Sequence, residues 1–218
     1  MVDISQENTF YHVFNKSIAN YGIFKNPRNC HRILNILSYY NNQISQLSYS
    51  KFIKKNKAFT FPNILIFQPN NLTKILSYCI MPDHYHLLIK ISLDQSLPKF
   101  ISIVENSFTR YFNVKNNRKG PLWQSRFKSV RIKNQEQLLH VSRYIHLNPV
   151  TSFYVDKPED WEFSSYKYFL KDKFILDEII TEFGNQNIKN YQKFVDDQID
   201  YQRNLKKIKK TLVDTHLL

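Results

Sequence analysis

A chain of 218 residues with 42% apolar content can bury the core of one ordinary domain, with or without an appendage, and is not a disordered tail. Lys and Arg number 31 against 18 Asp and Glu, a net charge of +13 that points to a polyanionic partner and says little about fold. Three glycines exclude glycine-rich phosphate loops, and the two cysteines, Cys30 and Cys79, exclude a disulfide framework or a thiolate zinc site.

Thr9–Ile18 is rich in aromatic and β-branched residues and is predicted as a strand. Asn26–Tyr40 has Pro27 near its start and Cys30, Ile33, Leu34 and Leu37 at helical spacing, so a helix is predicted. Asn41–Asn71 is polar, with an apolar island at Phe59–Phe67, and reads as a variable connection holding a hairpin or a short helix. Ile75–Met81 and Tyr85–Ile91 are apolar runs broken by Pro82-Asp83: a strand, a tight turn and a returning strand. Leu97–Asn113 sets Ile101, Val104, Phe108, Tyr111 and Phe112 on one face of a helix. A basic loop, Lys115–Gly120, precedes a short strand at Phe127–Ile132. Gln135–Leu147 is predicted as a helix that stops at Asn148-Pro149, because proline disfavours helical backbone in the residue before it. Ile188–Leu212 reads as one long amphipathic helix, with Ile188, Tyr191, Val195, Ile199, Leu205, Ile208 and Leu212 as its stripe. There is no internal repeat. This order predicts an α+β domain, an antiparallel sheet with helices on one or both faces.

The charge is uneven. Residues 171–218 carry nine Lys and Arg against eight Asp and Glu, so the excess lies before them. Its densest stretch, Asn106–Gln135, holds Arg110, Lys115, Arg118, Lys119, Arg126, Lys128, Arg131 and Lys133 and no acid. Phe108, Tyr111, Phe112, Trp123 and Phe127 are interleaved with these cations. Cations pair with phosphates and aromatic faces stack on unpaired bases, so the mixture suits single-stranded or distorted nucleic acid. The plainer reading is aromatics in the core beneath a solvated basic face. The N-terminus lacks the basic-then-apolar order of a signal peptide, and no run of about 18 apolar residues is present, so a cytoplasmic protein without membrane attachment is expected.

Two small constellations could carry chemistry. His84 and His86 flank Tyr85 at the start of a strand, where period-two alternation points both to one face and would let them share a divalent metal. The alternative is two surface histidines. Tyr144 and Asn148 are four apart on a helix, so a phenol and an amide carbonyl share a face. A nucleophilic tyrosine needs a nearby cation because its free pKa is about 10. The alternative here is a core aromatic and a helix cap before Pro149.

Four stretches in order, Tyr11–Lys16 (YHVFNK), Met81–Leu88 (MPDHYHLL), Gly120–Phe127 (GPLWQSRF) and Ser142–Val150 (SRYIHLNPV), resemble the single-tyrosine transposases of the HUH nuclease superfamily, in particular the REP-associated tyrosine transposases of the IS200-like group. The resemblance covers roughly residues 9–170, and Trp161–Tyr166 (WEFSSY) fits its end. It implies a ferredoxin-like fold over residues 1–170, with 41–73 as a variable insertion and 171–218 as a helical C-terminal extension. By position, His84 and His86 match the metal-binding histidines and Tyr144 the nucleophile. Asn148 falls where insertion-sequence relatives carry a glutamine as third ligand, and is one methylene shorter. Tyr111 is a rival nucleophile that lacks a polar amide partner four residues on, where Lys115 stands. The implied activity is cleavage and rejoining of single-stranded or hairpin DNA through a 5′-phosphotyrosine link, with Mg²⁺ or Mn²⁺ as cofactor. The DNA contacts would come from Arg110, Lys115, Arg118, Lys119, Arg126, Lys128 and Arg131, and from Trp123 if it stacks on a base rather than packing beneath the sheet. Relatives act as monomers or as homodimers. Two other readings compete: a non-catalytic nucleic-acid-binding protein of the same shape, and a metal hydrolase that uses water.

Overall fold

The structure is a computed structural model that describes residues 9–42, 47–59, 62–91, 96–171 and 188–215. It divides into two compact units, one of residues 1–76 and 80–133, the other of residues 77–79 and 134–218.

Strands β1 (Thr9–Lys16), β2 (Thr73–Ile80), β3 (His84–Ile91) and β4 (Lys128–Ile132) form one sheet in the order β2-β3-β1-β4. Strand β1 is antiparallel to both β3 and β4. Helix α1 (Pro27–Tyr40) and the short α2 (Tyr49–Lys55) lie between β1 and β2, and α3 (Ser96–Lys115) lies between β3 and β4. The short helix thus sits within the variable connection. The fold is α+β, a ferredoxin-like antiparallel sheet with packed helices and a C-terminal helical part.

Local chemistry explains these elements. Asn26 caps α1 by accepting a hydrogen bond from the Arg28 amide, and Pro27 occupies the first turn, where its missing N–H is no loss. The turn before β3 is held at both ends. Met81 N donates to His84 O at 2.8 Å, Ser17 N to Asp83 O at 2.7 Å and Phe24 N to Pro82 O at 2.9 Å. After α3, Gly120 adopts φ +91°, which a residue without Cβ accepts freely.

Residues paired across an antiparallel ladder share a face. Val13, Asn15, Tyr85, Leu87 and Ile89 therefore lie on one face and His12, Phe14, Lys16, His84 and His86 on the other. The first face is covered by helix. Asn15 Nδ2 donates to Glu105 Oε1 of α3 at 2.7 Å, and the Tyr85 hydroxyl donates to the same oxygen at 2.8 Å. Buried Ile33, Ile36, Ile101, Val104 and Phe108 complete the core of this unit. Burial raises the Glu105 carboxyl above the usual range, against the two hydrogen bonds. Strand β4 is an edge, with four of its five residues exposed.

The second unit holds α4 (Gln135–Thr151), α5 (Tyr166–Lys171), α6 (Ile188–Asp196) and α7 (Ile199–Thr215). Two sequence expectations are corrected here. The α4 helix does not stop at Asn148 but runs through Pro149 to Thr151. A proline this close to the end forfeits one intrahelical bond, and the chain beyond supplies others: Ser152 N to Asn148 O and Tyr154 N to Pro149 O, both 3.0 Å. The expected single helix over 188–212 is two helices, broken at Asp197-Gln198. Of the predicted stripe, Tyr191 and Val195 of α6 are buried, whereas in α7 Ile199 and Leu205 are half-buried and Ile208 is exposed.

A buried polar network fixes α4. His146 Nε2 lies 2.7 Å from Ser165 Oγ and its Nδ1 lies 2.8 Å from the Tyr191 hydroxyl, which is 2.9 Å from Ser142 Oγ. Ser165 Oγ donates to Tyr78 O, so His146 Nε2 carries the proton and Nδ1 accepts from Tyr191. Full burial keeps this imidazole neutral, its pKa pulled down to about 3. Arg143 adds a second anchor: it donates to Phe194 O at 3.2 Å and stacks 3.9 Å from the Phe194 ring centroid.

Candidate active site and nucleic-acid interface

On the sheet face away from α1 and α3, β3 opens with His84 and continues to His86, their ring centroids 5.0 Å apart and perpendicular. Each ring has its Nδ1 engaged. Asp83 Oδ1 lies 2.6 Å from His84 Nδ1, and Lys16 Nζ lies 3.5 Å from Asp83 Oδ2. His12 Nε2, from the neighbouring strand, lies 2.9 Å from His86 Nδ1, with the two rings stacked. Asp83 accepts from Nδ1–H, so in the neutral form of the ring the lone pair of His84 lies on Nε2. If His86 Nδ1 likewise donates to His12, its lone pair too lies on Nε2. Burial holds the His86 pKa well below the ordinary histidine range, helped by the neighbouring His84 and His12, and burial pulls His12 down to about 4. Burial pushes the Asp83 carboxyl up, but the hydrogen bond and charge of His84, with Lys16, outweigh it and hold Asp83 low.

Neutral imidazoles oriented by a carboxylate or a second histidine are the state in which histidine binds a metal, so the pair fits a divalent cation. Among the described residues, no three His, Cys, Asp or Glu side chains form a group that could hold a metal ion. A cation held by the pair would need a third donor of another kind.

Tyr144 and Asn148 lie on α4 of the second unit. Tyr144 is 50% exposed and Asn148 is buried. Ser142 and His146, the inward residues of the network, are two positions away from these and so about 200° around the helix. One side of α4 is thus locked and the other presents the phenol and the amide. Asn148 Nδ2 is buried without a hydrogen-bond partner. The two ends of an amide exchange by a flip, so its oxygen can occupy the same place.

The predicted cations have separate fates. Arg110, Lys119, Arg126, Lys128 and Arg131 are exposed. Arg118 is committed to its own loop, donating to Asn113 Oδ1 at 2.9 Å and to Gly120 and Pro121 carbonyls. Lys115 is exposed but donates to Tyr111 Oη at 3.1 Å and Asn29 Oδ1 at 3.0 Å. Trp123 packs with Phe24 and Phe108 and meets Tyr85 edge-on, as its packing alternative predicts. Tyr111 sits on α3, on the helix-covered side of the sheet, whereas the histidines occupy the opposite face. Sequence reasoning missed His12 and the orienting role of Asp83 as parts of the site. Asp83 stands in the quoted motif beside His84, but His12 joins only through the β1–β3 register.

Residues 45–148 match the family model described as Transposase IS200 like. This stretch, just under half of the chain, is similar to the IS200-like transposases. His84, His86 and Tyr144 all fall inside the matched stretch, which ends on Asn148. A candidate REP-associated tyrosine transposase of Haemophilus influenzae is 32% identical over 101 residues, covering 42% of this chain and 57% of that relative. The REP-associated tyrosine transposase of Escherichia coli K12 is 28% identical over 94 residues, covering 43% of this chain and 54% of the relative. These matches thus span little more than half of each relative's length. A solved structure of a REP-associated tyrosine transposase bound to a REP hairpin shares the fold, with a TM-score of 0.51 at 17% identity, covering 76% of this chain and 81% of the other. Among the described residues, no helix is long and apolar enough to cross a membrane.

Proposed function

We propose that the chain is an IS200-like transposase that cleaves and rejoins single-stranded DNA at hairpin sequences through a covalent tyrosine intermediate. The observation that carries the reading is the histidine pair: two imidazoles on one strand face, His86 kept neutral by burial and His84 with its Nδ1 engaged by Asp83. In this reading His84 and His86, with the Asn148 amide oxygen as third donor, hold Mg²⁺ or Mn²⁺. When bound, that cation supplies Lewis-acid stabilisation of the charge on the phosphate oxygens. Tyr144 is the nucleophile. Its phenolic oxygen forms a bond to phosphorus, and the bond from phosphorus to the 3′-oxygen breaks. The phenol proton is lost to solvent or a nearby base, and the departing 3′-oxygen gains one to become a hydroxyl. The product is a 5′-phosphotyrosine whose later attack by a 3′-hydroxyl restores the phosphodiester, so no external energy source is needed. The exposed cations Arg110, Lys119, Arg126, Lys128 and Arg131 grip the backbone.

The test uses labelled single-stranded DNA bearing the repeats that flank the gene, with Mg²⁺ or Mn²⁺. Wild type is expected to give a protein–DNA adduct stable to denaturing electrophoresis, and Tyr144→Phe and His84→Ala to give none. An adduct surviving in Tyr144→Phe would reassign the nucleophile. Cleavage without an adduct would establish a hydrolase, and binding without cleavage a non-catalytic DNA-binding protein.

A further inference from the structure

On the helix-covered side of the sheet, Arg32 of α1 lies between two aromatic rings, 4.2 Å from the Tyr49 centroid and 4.6 Å from that of Tyr111. Stacking of this kind removes water from both faces of the guanidinium and leaves only its edge for hydrogen bonding. On that edge Nη2 donates to Ser50 Oγ at 3.3 Å, whereas Nε is buried and has no acceptor. Lys115 approaches the same phenol from α3, donating to Tyr111 Oη at 3.1 Å and to Asn29 Oδ1 at 3.0 Å. An ammonium has three donors, so one remains. Among the described residues, neither Arg32 nor Lys115 has a carboxylate within ion-pair distance. Burial lowers the Arg32 pKa, and only tyrosines act on it electrostatically in return.

A purely structural clamp would leave this arrangement poorly satisfied. A buried N–H without an acceptor costs stability, and a half-desolvated cation costs more without a counter-charge. A tetrahedral oxyanion supplies the missing counter-charge, accepting from the exposed Nη end of the guanidinium and from the remaining donor of the Lys115 ammonium. We propose that Arg32 and Lys115, both set against the Tyr111 ring, form a seat for a backbone phosphate of bound DNA, away from the histidine face and hence distinct from the scissile phosphate. This rests on the reading of the chain as a DNA-binding transposase. The seat would anchor the nucleic acid where it reaches the α1–α3 side, and it gives Tyr111 a positioning role in place of a nucleophilic one.

The experiment is a fluorescence-anisotropy titration of labelled hairpin DNA with a single-stranded flank, repeated from 50 to 300 mM KCl. Tyr144→Phe serves as the non-cleaving background, and Arg32→Met, Arg32→Lys and Lys115→Gln are added to it singly. Loss of one phosphate contact is expected to reduce the slope of log affinity against log salt by about 0.7–0.9. Arg32→Met and Lys115→Gln should each show this loss, with affinity several-fold lower at low salt. Arg32→Lys should restore the slope and only part of the affinity, because the two-pronged fork is gone. Should Arg32→Met fail to fold on thermal melting, Lys115→Gln, altered at the exposed end of α3, reads the same contact. Unchanged slopes in folded variants, with the background protein binding DNA, overturn this inference and leave the proposed function standing. No DNA binding by the background protein overturns both.

Discussion

At His84 the chemistry depends on a neighbour. Asp83 fixes the ring by accepting from Nδ1 at 2.6 Å and is itself steadied by Lys16. Asp83→Asn keeps the shape but replaces a charged acceptor with a weaker one, so Mn²⁺ affinity should fall about 10–100-fold. Isothermal titration with Mn²⁺ checks this without a DNA substrate, and unchanged affinity would mean that Asp83 does not orient the ring. Glu105 gives a prediction about stability. Its carboxyl is raised by burial, so its folded pKa lies above the unfolded value of about 4.3. A raised carboxyl favours the fold below the unfolded pKa, and that advantage is lost as pH rises through the folded pKa. Glu105→Gln retains an oxygen for Asn15 and Tyr85 and removes the titration. The variant should lose this stability decline, measured as melting temperature against pH, while wild type shows it. The paired histidines were legible in the sequence because strand alternation is local. His12 and the Asn15–Glu105 bond were not, because they join residues 74 and 90 positions apart and depend on register.

Helix α4 holds its candidate nucleophile by the opposite side. Tyr191 donates to His146 Nδ1 and also contacts Ser142, so Tyr191→Phe removes the phenolic oxygen and leaves a buried imidazole nitrogen without a donor. The cost should be about 1–3 kcal/mol, read from denaturant unfolding with the slope unchanged. A smaller loss would show that water or a rearranged Ser142 replaces the phenol. The element boundaries show what sequence pattern can and cannot report. Periodicity placed α1 and α3 well, helped in α1 by Pro27, which acts on its own turn. The proline rule misplaced the end of α4, because the rule describes a preference and the bonds from Ser152 and Tyr154 override it. The α6–α7 break carries neither Gly nor Pro at Asp197-Gln198, so composition gave no sign of it.

Charge divides between the two units of the molecule. Residues 1–133 hold 19 Lys and Arg against five Asp and Glu, whereas residues 134–218 hold 12 against 13. A polyanion is therefore drawn to the sheet unit rather than to the near-neutral helical unit. The sequence located this excess before residue 171, and the compact units narrow it to residues before 134.

The open edge of β4 has a consequence for colloidal behaviour. Among the described residues no strand pairs with its outer side, whose backbone groups are a template on which another copy could add a strand. Lys128 and Arg131, on opposite faces of the strand, guard it by mutual repulsion between molecules. Replacing both with threonine removes the guard and raises strand propensity. Dynamic light scattering should then show concentration-dependent growth in particle size at low salt, where the wild-type protein stays monodisperse. Potassium chloride near 1 M shrinks the screening length to about 3 Å and should move the wild-type protein in the same direction. The cations assigned to holding DNA thus also keep the DNA-free protein from holding itself.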